Sequence, residues 1–556
     1  LGEGQRSELN EAYAMFGGKT SAVNHASTLS IPVKTREREH AFTLEVRAYN
    51  DGIGWRVIVP ADAQVMRRVT GEASTWVLPE RSRVWYFERN NDWKLKSYAG
   101  EWMSTPVENL PKVSSRGPVQ GAPLVVALAD DRGYLLITEA ALQNYSGLRL
   151  RALAGRVVQA DFTEGADGFE VHGEIVTPWR VTLVVDDLDA LVNSTLITNL
   201  CPPPDEELYA DLSYIKPGRA VWRWWSSGTG SPAEERAMVD DAAELGFEYS
   251  LVDDGWKDWP EAWKEIRALT AYARERDVGI FVWKDYKDVS SPEDNWAQLR
   301  EFYAAVAQAG AVGVKLDFLN AESKDRVDWT IAALRLAAER RLMVIFHGIT
   351  KPTGETRTFP NEITREGIRG LELNRMKEGP IPAWHNAALP FTRLVVGPGD
   401  YTPLGYSRPG PTTWAHQLAT FVQFNSPLQI MAEHPDKVLR DPATRPALDV
   451  LKRIPAVWDE TRVLEPSRIG EVSVMARRTG TTWFLAVING DEKRDLGTLP
   501  LSFLGEGLYR AIELTSPEST AFERKESKAI SAADGWSCRV GAGGGAVVMF
   551  TKEDEG

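Results

Sequence analysis

The feature that most constrains the fold lies between residues 220 and 433, where short apolar runs alternate with amphipathic helical stretches. The runs are AVWRWW (220–225), YSLVDDG (249–255), GIFVWKD (279–285), GVKLDF (313–318) and LMVIFHG (342–348). Helical patterns such as PEAWKEIRALTAYARERD (260–277) separate them. Strands apolar on both faces and joined by helices form parallel βαβ units, because the helices cover the sheet. GIRGLELN (367–374), RLVVGPGDY (393–401) and SPLQIMAE (426–433) continue the series. The pattern predicts eight strands, the number that closes a (β/α)8 TIM barrel.

The flanks follow a different period. Residues 1–200 read as short alternating segments broken by Gly, Asn and Asp, among them AFTLEVRAYNDGIGWRVIV (41–59) and APLVVALADDRGYLLITEA (122–140). Period-2 alternation with turn signals predicts a sizeable antiparallel β-sandwich. CPPPDEELYADLSYIKPG (201–218) reads as an extended linker, and the barrel occupies 219–463. Alternation returns over 464–556, for example in EVSVMARRTGTTWFLAVING (471–490), and predicts a small C-terminal β-sandwich. The acidic ending KEDEG reads as a solvated end.

Charge and composition narrow the partners. A formal net charge of −14 argues against nucleic acid, whose phosphates need a basic footprint. No apolar stretch approaches the roughly 20 residues of a membrane span. The start LGEGQRSELN carries no signal-peptide pattern, so a leader is expected to have been removed or never to have existed. Two cysteines, Cys201 and Cys538, could pair or both stay reduced.

In a parallel barrel, reactive groups project from the C-terminal ends of the strands. Those ends carry Asp253, Asp254, Lys284, Asp285, Asp317, His347, Glu372, Asp400 and Glu433, with Trp224, Trp225, Trp256 and Trp283 nearby. Acidic groups and indoles at one mouth suit a polar, ring-shaped, uncharged ligand such as a sugar. Two carboxyls flanking one bond could then do glycosidase chemistry, one giving a proton and the other attacking or activating water. An isolated Asp at a strand end is otherwise a helix cap or loop former, and a lone His a hydrogen-bonding residue.

At these residues the sequence resembles glycoside hydrolase family 97. The resemblance covers nearly the whole chain through YNDGIGWR (49–56), LLITEAALQNYSGL (135–148), GVKLDF (313–318), KPTGETRTFPNEITREGIRGLELN (351–374), LPFTRLVVGPGDYTP (389–403) and SPLQIMAEHPD (426–436). It implies an N-terminal β-super-sandwich, a catalytic (β/α)8 barrel and a C-terminal antiparallel β-domain. Inverting members of the family, largely α-glucosidases, carry a general-base Glu directly after the fifth-strand His; here Gly348 follows His347. Retaining members, typified by α-galactosidases, carry a nucleophilic Asp in V-K-x-D-F, which here is Asp317. The resemblance therefore implies an exo-acting retaining α-galactosidase with Asp317 as nucleophile and Glu372 as acid/base. An α-glucoside or a β-L-arabinopyranoside is the alternative substrate. A non-catalytic sugar-binding barrel would lack one carboxylate, and both are present.

The resemblance further implies Ca²⁺ near the acid, with Glu139, Glu366 and Glu372 at the matching positions and Asn144 as an added candidate. Oxygen ligands suit that hard cation. Gly348 leaves one family ligand missing. Trp224, Trp225, Lys284, Lys315 and His347 are the expected ring contacts on an oligosaccharide or glycoside substrate. Export to the bacterial periplasm or beyond is implied by resemblance alone.

Overall fold

A computed structural model of the chain describes residues 1–35, 41–162, 165, 167–517 and 520–553. Of the acidic ending, Asp554, Glu555 and Gly556 lie outside the described residues. The N-terminal block is built on a ten-stranded antiparallel sheet, covered on one face by a four-stranded sheet. Alternation divides its side chains between two cores. Val84, Tyr86, Leu124 and Val126 pack toward the smaller sheet with Leu150 and Val158. Their neighbours Trp85, Phe87 and Val125 join the core that runs on into the barrel. One sheet buried on both faces thus fixes the barrel beside it.

The barrel strands are β1 (Gly218–Trp222), β2 (Tyr249–Val252), β3 (Gly279–Asp285), β4 (Gly313–Asp317), β5 (Met343–Phe346), β6 (Glu362–Arg365) and β7 (Leu428–Met431). All are paired in parallel, in the order β6-β5-β4-β3-β2-β1-β7. The connecting helices carry their own stop signals. The helix Pro232–Leu245 starts with a Ser231–Glu234 capping box and Pro at its first turn, and it ends at Gly246 with φ of 70°.

Two of the eight expected strands are corrected. The sixth is Glu362–Arg365, upstream of 367–374, which instead forms a loop with a 3-10 turn at Leu371–Arg375. The strand is short and its Glu362, Thr364 and Arg365 are buried polar residues, with Arg365 paired to Glu362 at 2.6 Å. No strand forms at 393–401. Residues 399–404 instead close the sheet irregularly. Asp400 N donates to Arg365 O at the end of β6, and Gly399 N to Asn425 O just before β7. Ala432 N and Glu433 N beyond β7 donate to Pro403 O and Leu404 O. The barrel has seven regular strands and one hydrogen-bonded filler.

The C-terminal domain is a six-stranded antiparallel sheet with a two-stranded sheet against one face. Its other face packs on the barrel helix Trp414–Gln423, where Gln423 Nε2 donates to Ser473 O and Ala486 O. Cys201 and Cys538 are both buried and free, in separate parts of the chain. Among the described residues no helix is long and apolar enough to cross a membrane.

Candidate active site

The C-terminal strand ends open into a cavity of about 340 Å³. β4 places Lys315 and Asp317 two residues apart, hence on one face of the strand. Asp317 Oδ2 accepts from Trp283 Nε1 on β3 at 3.1 Å, and Oδ1 accepts from the Phe318 amide at 2.7 Å. Phe318 has φ of 65°, so the chain turns sharply after Asp317 and the ring stands half-exposed at the mouth. Lys315 Nζ donates to Asp253 Oδ2 at 2.9 Å and lies over the Trp222 ring at 4.6 Å. Its ammonium is thereby fixed between the carboxylates of β2 and β4.

Across the cavity, His347 Nε2 bonds Asp400 Oδ2 at 2.7 Å, while Nδ1 stands 3.6 Å from Glu372 Oε1 and 3.9 Å from Glu366 Oε2. Burial and the Lys315 charge work against protonation of this ring, but the Glu366 carboxylate and the Asp400 hydrogen bond outweigh them and raise it to about 9. Burial pushes the Glu372 carboxyl up to about 8; Lys315 and His347 pull it down, and the Glu366 and Asp317 charges add to the rise. The rise favours the protonated form that a general acid needs. Glu366 is likewise raised by burial, and its Oε2 accepts the Gly348 amide at 2.7 Å. Gly348 has φ of +52°, and a Cβ there would lie 2.8 Å from Phe318 Cα and N. Any side chain at this position would press on the Phe318 backbone.

The calcium ligands expected from sequence divide into two groups. Glu366 and Glu372, with His347, offer ligand atoms all within 4.8 Å of one another. Glu372 Oε1 is buried without a hydrogen-bond partner, as is Asn320 Oδ1 beside Gly348. Those oxygens fit a hard cation. Glu139 does not fit, which corrects the expected set. Its Oε1 accepts from Leu148 N at 2.7 Å and pairs with Lys351 at 2.8 Å, and its Oε2 pairs with Arg180 at 2.8 Å. Lys351 also reaches Glu322 at 2.6 Å, which Tyr98 and Arg149 hold from the sandwich. An ammonium ion joins the two domains where a metal ligand was expected. Asn144 is exposed and is not among the residues that line the cavity.

Of the expected ring contacts, Trp224, Lys315 and His347 line the cavity with Asp317 and Glu372. Trp224 also stacks on Trp222 at 5.6 Å. Two are corrected. Trp225 is 1% exposed and packs beside Leu371 and Gly405 inside the barrel. Lys284 pairs with Asp288 at 3.0 Å and faces a different cleft, because alternation along β3 turns it away from the cavity that Trp283 enters. The sandwich contributes residues that the sequence reading missed: Arg89, Trp93 and Ser97 line the same cavity. The exposed Trp in the turn-rich stretch RNNDW was the one available signal.

A buried carboxyl raised by desolvation and a doubly hydrogen-bonded carboxyl at one barrel mouth, beside indole walls, are the arrangement that a glycoside hydrolase uses. Residues 1–203, 222–368 and 457–551 match the families described as Glycosyl-hydrolase 97 N-terminal, Glycoside hydrolase 97, and Glycosyl-hydrolase 97 C-terminal, oligomerisation. The chain belongs to glycoside hydrolase family 97. It is 34% identical over 468 residues to a probable retaining alpha-galactosidase of Streptomyces bingchenggensis, covering 80% of this chain and 67% of that one. It is 29% identical over 543 residues to a retaining alpha-galactosidase of Bacteroides thetaiotaomicron, covering 88% and 78%. The fold matches the crystal structure of a beta-arabinopyranosidase with a TM-score of 0.85 at 23% identity, over 98% of this chain and 91% of that one.

Proposed function

We propose that this glycoside hydrolase removes terminal α-galactosyl units with retention of configuration. The observation that carries the reading is that Asp317, hydrogen-bonded by Trp283 and Phe318, shares a cavity with Glu372, whose carboxyl burial raises toward its protonated form, while position 348 offers no carboxyl. A carboxylate oxygen of Asp317 attacks the anomeric carbon as the glycosidic C–O bond breaks. Glu372 gives its proton to the departing oxygen, leaving a covalent glycosyl ester on Asp317. Glu372, now ionised, takes a proton from water, whose oxygen displaces Asp317 from the opposite face. Sugar leaves with its original anomeric configuration, and both carboxyls return to their starting state.

The Lys315 ammonium and the imidazolium of His347 hold the carboxylates in place and limit the repulsion that would build up when Asp317 and Glu372 are both ionised. Calcium, when bound, would be held by Glu366 and Glu372 and would supply positive charge against these carboxyls. Proton NMR of the first product from an aryl α-galactoside tests the reading. Appearance of α-galactose ahead of β-galactose supports it, and the reverse order overturns it. A β-L-arabinopyranoside shares the axial O4 and lacks only the hydroxymethyl group. Comparing kcat/KM for the two aryl glycosides decides between them.

A further inference from the structure

Beside the catalytic cavity lies a second and larger cleft of about 560 Å³, within the size range of small-ligand sites. It shares one wall with the first, because Trp283 lines both. Trp256 anchors that wall by donating its indole N–H to Trp283 O at 2.9 Å. Trp263 meets Trp256 at 4.9 Å between ring centroids with an angle of 66°, and Phe302 lies 6.2 Å from Trp263. Four aromatic side chains, Trp256, Trp263, Trp283 and Phe302, therefore line it.

The rim is polar. Lys284, held by Asp288 at 3.0 Å, stands 5.7 Å over the Phe302 ring. Lys257 and Glu301 complete two positive and two negative charges, so the cleft carries no net formal charge. Gln298, Glu301, Phe302 and Ala305 are spaced to face it from the helix Glu293–Ala309. Aromatic side chains beside hydrogen-bonding groups suit a ligand with an apolar face and a polar edge. The balance of charge disfavours an ion. We propose that this cleft is a second sugar subsite, which holds a neutral pyranose unit of an oligosaccharide on the far side of Trp283 from Asp317.

The proposal rests on the chain being a glycoside hydrolase, and it requires no particular sugar at Asp317. Asp317→Asn protein is crystallised and soaked with raffinose, maltotriose or xylotriose, and the same sugars are titrated in solution by ligand-observed NMR. A pyranose ring against Trp263 with at least one of the three is expected. One molecule spanning both cavities marks the subsite as part of the substrate path; separate molecules mark an independent anchoring site. Either supports the proposal. Ala305→Trp fills the cleft from an accessible helix face and is expected to remove that binding. Gln298→Ala with Glu301→Ala, at exposed positions, should weaken it at least tenfold. A cleft empty with all three sugars overturns the proposal, whatever occupies the cavity at Asp317. So does density in crystals that neither change weakens in solution. Failure on galactosides alone, with another sugar in the cleft, counts against the galactoside reading and leaves the subsite standing.

Discussion

The indole N–H of Trp283 points at Oδ2 of Asp317 from 3.1 Å, so the residue that divides the two cavities also holds the proposed nucleophile. A hydrogen bond to a charged group contributes about 1.5–3 kcal/mol. Trp283→Phe keeps an aromatic wall and loses the donor. We expect kcat/KM on an aryl α-galactoside to fall about 10- to 100-fold with little change in thermal stability. Unchanged kcat/KM would show that Asp317 does not depend on this bond.

The two carboxyls are separable by chemical rescue. Asp317→Gly should lose turnover by at least about 10³-fold, and azide should restore it with formation of the β-glycosyl azide. Glu372→Ala should lose about 10²- to 10⁴-fold on substrates with poor leaving groups and much less on a dinitrophenyl glycoside. Azide should there give the α-glycosyl azide, made from the intermediate on Asp317. Product stereochemistry by NMR checks both.

Gly348→Glu is not expected to make hydrolysis inverting. The residue sits at φ +52°, and its Cβ would press on the Phe318 backbone at 2.8 Å. Strain of this kind costs about 1–3 kcal/mol. The expected outcome is a lower melting temperature, with any remaining hydrolysis still retaining.

Calcium is checked by stability. If Glu366 and Glu372 hold Ca²⁺, saturation at about 100 times Kd stabilises the folded chain by about 2.7 kcal/mol and raises the melting temperature after chelation. Glu366→Gln should abolish that rise. Glu139→Gln should leave it intact while lowering stability at every calcium concentration by about 3–5 kcal/mol, since it breaks a buried pair with Lys351 and Arg180. A rise lost in Glu139→Gln alone would reinstate Glu139 as the ligand.

His416 is fully buried, with Nδ1 against Gly544 O and Nε2 against the Asn386 amide, an arrangement for the neutral ring. Burial lowers it to about 4. The unfolded chain takes up the proton near pH 6.5, so this histidine's contribution is complete above that value and is lost as pH falls toward the folded one. By pH 5 the loss is about 2 kcal/mol. The buried Glu235 and Glu362, both raised to about 7 by burial, act in the opposite sense. The comparison is therefore with His416→Gln. Its destabilisation should shrink by about 2 kcal/mol between pH 7 and pH 5 in denaturant titrations.

The first five barrel strands were legible because their residues are apolar and β-branched and their ends carry the acidic groups. β6 was not, since Arg365 pairs with Glu362 and Thr364 with Ser426 inside the protein, which leaves no apolar run to read. The segment 399–404 fills a strand's place through main-chain bonds that no side-chain pattern encodes. Asp317 and Glu372 were proposed through motif; Asp317 stands at the end of β4, whereas Glu372 lies in the 3-10 turn beyond β6 and not at a strand end. Glu139 misled for a physical reason. A buried glutamate looks the same in sequence whether its counter-charge is a metal or, as here, the ammonium of a lysine 212 positions away.

That lysine has a consequence for how such an enzyme can be divided or inherited. Lys351 leaves the barrel to bind Glu139 of the sandwich, and the sandwich returns Arg89, Trp93 and Ser97 to the catalytic mouth. Cutting the chain near residue 201 would strand a buried cation on one side and open the sugar cavity on the other. The (β/α)8 barrel is here no portable cassette: recombination or truncation that respects its boundaries would still break its active site, and only the pair of domains can be passed on as a working unit.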